Sequence, residues 1–143
     1  MCPSCSRVGI SRSSALRLQP LTRPCSVPPQ GSKMAANLAD GGFQTNVWDM
    51  MPAAVEGAVA KGCEAMPDAA SVAGGASLIF TSLPRSVDVE ALVDSLLEDG
   101  ALSKGTVWVD TTSGVPDISQ RIYAKLGDIG VAFLDCGVAG ARF

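Results

Sequence analysis

The sequence contains no histidine, and aromatic residues make up only 5% of its 143 positions. Without histidine, the chain lacks the side chain that most often transfers protons near neutral pH. Its abundant alanine, valine and glycine fit an α/β sheet with closely packed helices better than an aromatic-rich β-sandwich. The length of 143 residues predicts a single domain. No apolar run approaches the roughly 20 residues that a membrane-spanning helix needs, so we expect no transmembrane segment.

Acidic residues are absent from the first 39 positions, which hold five basic ones. Residues 40–143 hold six basic and fourteen acidic residues, a net charge of −8. Residues 40–143 therefore lack the basic face that nucleic acids require, and nucleic acid is not an expected partner. Residues 1–30 are rich in serine, arginine and proline, which is typical of an organellar transit peptide. We therefore expect a mitochondrial or plastid location, and otherwise a cytoplasmic one; a disordered tail without targeting information is the alternative.

Five cysteines are scattered along the chain, and only Cys2 and Cys5 form a Cys-x-x-Cys pair. A zinc site needs about four ligands, and neither histidine nor a second close cysteine pair is present to complete one. An odd number of cysteines in a chain without a secretory apolar segment indicates free thiols. We expect no metal site.

From position 31 onward, predicted helices and strands alternate. Helices are predicted over residues 32–40, 52–62, 67–72 and 89–97 and from Pro116, and strands over residues 43–48, 64–66, 77–81, 106–110 and 131–134. The apolar stripes that define three of the helices are Val55 and Val59; Val89, Leu92, Val93, Leu96 and Leu97; and Ile118, Ile122 and Leu126. Helices between successive strands require parallel pairing with right-handed crossovers. The sequence therefore predicts a Rossmann-like, doubly wound parallel α/β sheet.

Residues 31–49 have the order of the second half of a dinucleotide-binding βαβ unit. Gly31 begins an alanine-rich helix, a strand follows, and Asp49 comes next. In such a unit the last glycine of G-x-G-x-x-G lets the helix pack closely on the sheet, and an acid about 20 residues on binds the ribose 2′-hydroxyl. The places of the first two glycines hold Ser26 and Pro28, so the glycine turn is missing or replaced. An acid at the start of the next helix is the structural alternative for Asp49.

Three short segments carry a resemblance to a known family: MAANL at residues 34–38, SLP at residues 82–84 and DTTS at residues 110–113. Together they resemble the 3-hydroxyisobutyrate dehydrogenase branch of the β-hydroxyacid dehydrogenases, relatives of 6-phosphogluconate dehydrogenase. The resemblance extends from Gly31 to about Ala141. It implies a partial NAD(P)-binding domain at residues 31–143, and a small carboxylate, a 3-hydroxy acid or semialdehyde, as the substrate of the full-length enzyme.

The resemblance also implies which residues contact the cofactor: Gly31, Met34, Asp49, Leu83, Pro84, Asp88, Thr112 and Ser113. In the family, the residues at positions 83, 84 and 113 lie near the nicotinamide, and the residue at position 88 faces the ribose. The structural alternatives are that Pro84 only ends a strand and that Thr112 and Ser113 only cap the next helix.

NAD is expected in preference to NADP. The Asp49 carboxylate would repel a 2′-phosphate, and Met50 and Met51 stand where NADP-preferring relatives often carry arginine.

The last segment, residues 135–141, resembles the family's substrate loop D-A-P-V-S-G-G. Only Gly140 is carried over as a substrate-binding residue, because the loop's serine is replaced by Ala139. The family's catalytic lysine follows this loop, beyond Phe143, so no catalytic residue is assigned. We expect a fragment or mispredicted product of such a dehydrogenase; the alternatives are a non-enzymatic nucleotide-binding or interaction module and a non-functional truncated product.

The family's sheet order, 3-2-1-4-5-6, places the first strand between the second and the fourth. Residues 7–10 (RVGI) look like the opening of that strand, in which case residues 12–30 would be a gene-model insertion. Otherwise the central place is empty, and each buried unpaired backbone group costs about 1–3 kcal/mol. We therefore expect either that residues 7–10 fill the gap or that the domain is unstable.

Overall fold

The computed structural model describes residues 20–22 and 30–138. Its strands are β1 (Pro20–Thr22), β2 (Asn46–Asp49), β3 (Glu64–Ala65), β4 (Leu78–Ser82), β5 (Val107–Asp110) and β6 (Ala132–Asp135). Its helices are α1 (Gln30–Asp40), α2 (Pro52–Val59), α3 (Ala69–Ala73), α4 (Ser86–Glu98) and α5 (Pro116–Asp128). All six strands pair in parallel in the order β3-β2-β1-β4-β5-β6. The predicted doubly wound α/β sheet is confirmed. None of the described helices is long and apolar enough to cross a membrane.

The central place in the sheet is occupied by β1. Leu21 is in register with Trp48 of β2 and Thr81 of β4. Pro20 is the first residue of the strand, a position where its missing N–H is tolerated. We expected residues 7–10 or a gap in this place; Pro20–Thr22 is the segment found there, and residues 7–10 lie outside the described part of the chain.

The strand predicted over residues 43–48 begins later, at Asn46. The preceding residues complete the end of α1 instead. The Phe43 amide donates to the Leu38 carbonyl at 3.1 Å, and Gly42 has a φ of +83°. A positive φ at a glycine just after a helix is the usual way to close its last turn. Alternating apolar residues could not reveal this boundary, because Phe43 lies in the helix cap.

Proline opens two of the helices, as predicted. Pro52 begins α2 and Pro116 begins α5, because the fixed φ of proline suits the first turn and its missing N–H has no partner to lose there. In α5 the predicted stripe is buried: Ile118, Ile122 and Leu126. In α2 half of the predicted face is confirmed, since Val55 packs against the smaller apolar core, but Val59 is 44% exposed and Ala58 is buried instead. The small side chain of Ala58 allows α2 to pack closely on α1 and on β2 and β3 of the sheet.

The two faces of the sheet carry separate apolar cores. The larger core contains Ile79, Trp108 and Phe133 on the face that α4 and α5 cover. On α4 the inward residues are Val89, Val93 and Leu96, with Leu92 and Leu97 half-buried beside them. The smaller core joins α1 and α2 to the other face through Ala35, Val47, Ala58 and Cys63. The helices thus fix both sides of the strands whose ends form the site below.

Candidate functional site

Polar residues end four of the strands along one edge of the sheet: Asp49, Ser82, Asp110 and Asp135. Because β4, β5 and β6 pair in parallel and in register, their carboxyl ends meet at this edge. In open doubly wound sheets, ligands bind outside this edge at the point where the strand order reverses. Here that point lies between β1 and β4.

Asp49 lies at a crevice beside the start of α1. Its side chain is 8% exposed, and one carboxylate oxygen accepts the Met51 amide hydrogen at 2.8 Å. Gly31, the second residue of α1, is buried and lines the same crevice. Ser32 and Val47 also line it, whereas Met34 does not and is half-buried further along α1. A carboxylate and a helix N-terminus therefore meet at the end of β2.

The Asp49–Met51 hydrogen bond is an Asx-type turn just before α2. Asp49 therefore lies just before α2, a position compatible with the structural alternative, an acid at the start of the next helix. The bond also fixes the direction of the carboxylate at the crevice. The two interpretations are compatible.

The segments that follow β4 and β5 are joined by direct hydrogen bonds. Thr111 donates both its amide and its hydroxyl hydrogen to the Thr81 carbonyl, at 2.8 and 2.7 Å. One residue further, the Leu83 amide donates to the Thr112 Oγ1 at 2.9 Å. These hydrogen bonds hold the exits of the two strands together.

A fourth hydrogen bond extends this connection to the start of α4. The Val115 amide donates to the Ser86 Oγ at 2.8 Å. A Cβ atom on Gly114 would lie 3.0 Å from the same Oγ, so a larger residue would crowd this contact. The two segments are held from Thr81 to Ser86 on one side and from Thr111 to Val115 on the other.

Asp110 is the buried centre of this arrangement and is not among the site residues that the sequence predicts. Its side chain is 3% exposed, and its Oδ1 accepts hydrogen bonds from the Thr81 hydroxyl at 2.7 Å and the Thr112 amide at 3.1 Å. The Trp108 Nε1–H donates in turn to the Thr81 Oγ1 at 3.1 Å. Burial raises the pKa of the Asp110 carboxyl, the hydrogen bonds from Thr112 and Thr81 oppose this, and nearby Asp135 adds to it. The sequence signals were its place at the end of a buried strand and at the start of the DTTS segment.

The other predicted cofactor residues have mixed positions. Pro84 and Ser113 are exposed beside the joined segments, whereas Leu83 is half-buried. Asp88 lies in the first turn of α4, where Arg85 donates to both of its carboxylate oxygens, at 3.0 and 2.6 Å. Gly140 lies outside the described residues. Within residues 20–22 and 30–138, no group of three or more histidine, cysteine or acidic residues is placed to hold a metal ion.

The described residues fit one end of a nicotinamide dinucleotide. A ribose needs hydrogen-bond acceptors for its hydroxyls, and a nearby glycine must let the first helix approach the sheet. Asp49 and the buried Gly31 meet these needs at the same crevice. The pyrophosphate turn would correspond to residues 23–29, which are outside the described part. The fold and this crevice define a dinucleotide-binding domain.

The comparison with known sequences gives the family. The sequence profile of the NAD-binding domain of 6-phosphogluconate dehydrogenase matches residues 30–142. This chain belongs to that family, as its sequence resemblance indicated. It is an NAD(P)-binding domain of the type found in 3-hydroxyisobutyrate dehydrogenase-like oxidoreductases.

Two curated relatives illustrate the match. Over 113 residues the chain is 35% identical to the NAD-dependent L-serine dehydrogenase of Pseudomonas aeruginosa, covering 77% of this chain and 37% of that protein. Over 110 residues it is 30% identical to the mitochondrial 3-hydroxyisobutyrate dehydrogenase of Drosophila melanogaster, covering 77% and 34%. The chain spans about a third of the length of these relatives.

Solved structures show the same fold. The 3-hydroxyisobutyrate dehydrogenase of Mycobacterium tuberculosis, solved with L-serine, superposes with a TM-score of 0.79 at 24% identity, over 89% of this chain and 42% of that one. An imine reductase from Myxococcus stipitatus in complex with NADP+ superposes with a TM-score of 0.69 at 17% identity, over 82% and 39%. Since neighbours of this fold include an NADP+ complex, the fold alone does not choose between NAD and NADP.

Proposed function

We propose that this chain is the cofactor-binding part of an NAD-dependent dehydrogenase that acts on a small 3-hydroxy acid or its semialdehyde. The observation that carries the proposal is the buried carboxylate of Asp49 at the crevice beside Gly31. When bound, a nicotinamide cofactor supplies the two-electron oxidation or reduction of the substrate carbon. The residues of this chain bind and orient that cofactor.

The preference for NAD follows from charge. A 2′-phosphate would bring a second anion beside the Asp49 carboxylate, and like charges at short range repel. The two residues after Asp49 are the exposed Met50 and Met51, which offer no positive charge to offset this. A free 2′-hydroxyl instead donates a hydrogen bond to the carboxylate.

The substrate class is supported by a feature that the relatives' names share. 3-Hydroxyisobutyrate, L-serine and 2-(hydroxymethyl)glutarate each carry a hydroxyl group on the carbon β to a carboxylate. We extend this class to the protein to which the chain's cofactor domain belongs. Residues 31–143 would supply the NAD(P)-binding part. Residues 1–30 would include a targeting segment, in keeping with the relatives that are named mitochondrial.

At the nicotinamide end, Leu83, Pro84 and Ser113 would flank the ring. They follow β4 and β5, whose exits are joined by the Leu83–Thr112 hydrogen bond. Asp88 would reach a ribose only if its bond to Arg85 were exchanged. Substrate contacts would come from the segment that contains Gly140.

The test is the ratio of the dissociation constants for NAD+ and NADP+, measured by calorimetric titration of the 143-residue chain. NAD+ should bind weakly, with a millimolar dissociation constant, because Pro28 and Pro29 supply no amide hydrogen for the pyrophosphate. NADP+ should bind about tenfold more weakly than NAD+, the effect of roughly 1.4 kcal/mol of repulsion.

Asp49→Asn should bring the two affinities together, because the amide oxygen still accepts from Met51 but carries no charge. Asp40→Asn is the matched control, since Asp40 is an exposed acid at the end of α1 and its loss should leave the ratio unchanged. Equal binding of NAD+ and NADP+ by the unmodified chain would refute the proposed preference.

A further inference from the structure

The hydrogen-bonded chain around Asp110 connects the protein core to the exits of β4 and β5. It runs from the Trp108 indole to the Thr81 hydroxyl, then to the Asp110 carboxylate and the Thr112 amide. The Thr112 hydroxyl accepts from the Leu83 amide. All of its side chains are buried, with Trp108 and Thr81 fully enclosed and Thr112 2% exposed.

This hydrogen-bonded network does more than satisfy buried polar groups, because it ends where β4 and β5 leave the sheet. A buried carboxylate between two threonines is costly to remove from water and is kept only with good hydrogen bonds. An apolar pair at these positions would pack β4 against β5 without that cost. What the polar chain adds is a fixed distance between the Leu83 backbone and Thr112, the two points at which the strands leave the sheet.

We propose that Asp110 is a positioning residue, which through Thr112 holds the Leu83–Pro84 exit of β4 against the exit of β5 and so shapes the nicotinamide end of the cofactor site. This inference rests on the proposed function. Asp110 itself touches no ligand; it acts by orienting Thr112, whose hydroxyl then fixes the Leu83 amide. The adenosine end, at Asp49, lies on the opposite face of the sheet, because Asp49 follows Val47 of the smaller core by two residues, whereas Asp110 follows Trp108 of the larger core by two. It does not depend on this hydrogen-bonded network.

The experiment compares NAD+ with ADP-ribose, which lacks only the nicotinamide, by ligand-observed NMR titration of the full chain. The unmodified chain should bind NAD+ more tightly than ADP-ribose. Thr112→Val should lower the ratio of the two affinities about tenfold, since it leaves the Leu83 amide without its acceptor. Thr112→Ser should restore the ratio, because it returns the hydroxyl.

Thr106→Val is the matched control. Thr106 is also 2% exposed in the same region of the chain, and its hydroxyl donates to the Ala76 carbonyl at 2.9 Å at the opposite end of β5. The Thr106→Val variant should lose a similar amount of stability but leave the ratio of the NAD+ and ADP-ribose affinities unchanged. Asp110→Ala should lower the ratio as Thr112→Val does, and the double variant should lose no more than either alone. If Asp110→Ala does not fold, Thr81→Val replaces it, because it removes the hydroxyl that orients Asp110.

The proposal is overturned if Thr112→Val or the Asp110 variant weakens NAD+ and ADP-ribose equally, since the network would then only support the fold. It is equally overturned if the ratio does not change or if Thr112→Ser fails to restore it. Failure of the unmodified chain to bind either ligand would refute the proposed function, and this inference with it, before any substitution is made.

Discussion

At the scale of single residues, Glu90 joins α4 to α5 on the outside of the larger core. Its two carboxylate oxygens accept from the Arg121 guanidinium at 2.9 and 2.8 Å, and Lys125 approaches one of them at 3.3 Å. Hydrogen bonding to Arg121 is the main cause that lowers the pKa of Glu90 from 4.5 to about 2, with Lys125 contributing. A carboxyl whose pKa is lower in the folded state stabilises the fold above its unfolded pKa and loses that effect as it is protonated.

We predict that Glu90→Gln lowers the midpoint of thermal unfolding by at most about 4 °C at pH 7, because ion pairs near the surface contribute little. The difference from the unmodified chain should shrink as the pH falls from 4.5 towards 2. Glu98→Gln on the same helix is the control, since Glu98 is exposed. Melting curves at a series of pH values measure this, and a difference that grows with acidity would show that Glu90 is not held as an ion.

At the scale of elements, the helices were predictable and the central strand was not. The α5 stripe of Ile118, Ile122 and Leu126 repeats at helical spacing, and periodicity identifies such a face directly. The strand Pro20–Thr22 is three residues long and begins with proline, so neither alternation nor composition marks it. Its place is set by pairing with β2 and β4, which are distant in sequence.

The residues of the candidate site also differ in whether the sequence could predict them. Asp49 and Gly31 could be found from their spacing, because one strand and one helix connect them. The role of Asp110 could not, since its partner Thr81 lies 29 residues away on another strand. A hydrogen-bonded network across two strands depends on register, and the DTTS segment alone does not reveal it.

The existence of β1 gives a prediction about the turn that follows it. Restoring glycine at Ser26 and Pro28 should help cofactor binding only if a strand precedes them, and Pro20–Thr22 is such a strand. The double variant Ser26→Gly/Pro28→Gly should therefore bind NAD+ about tenfold more tightly, because Pro28→Gly adds a backbone amide that can donate to a phosphate oxygen and Ser26→Gly permits a tight turn.

Calorimetric titration measures this gain, and Pro24→Gly/Cys25→Gly, which also replaces one proline and one other residue but outside the glycine pattern, is the control. An equal gain in both variants would mean that flexibility rather than the glycine pattern is responsible.

At the scale of the whole molecule, we propose that the carboxyl ends of β2, β4 and β5 together bind a nicotinamide dinucleotide. The most direct measurement is a two-dimensional NMR titration of the ¹⁵N-labelled chain with NAD+, which detects even millimolar binding. We predict saturable shifts in the amide signals of Asp49, Leu83 and Thr112, with little change at Glu90 and Lys125 on the α4–α5 surface. Shifts confined to the α4–α5 surface, or no saturable shift at Asp49, Leu83 and Thr112, would contradict the proposed binding site.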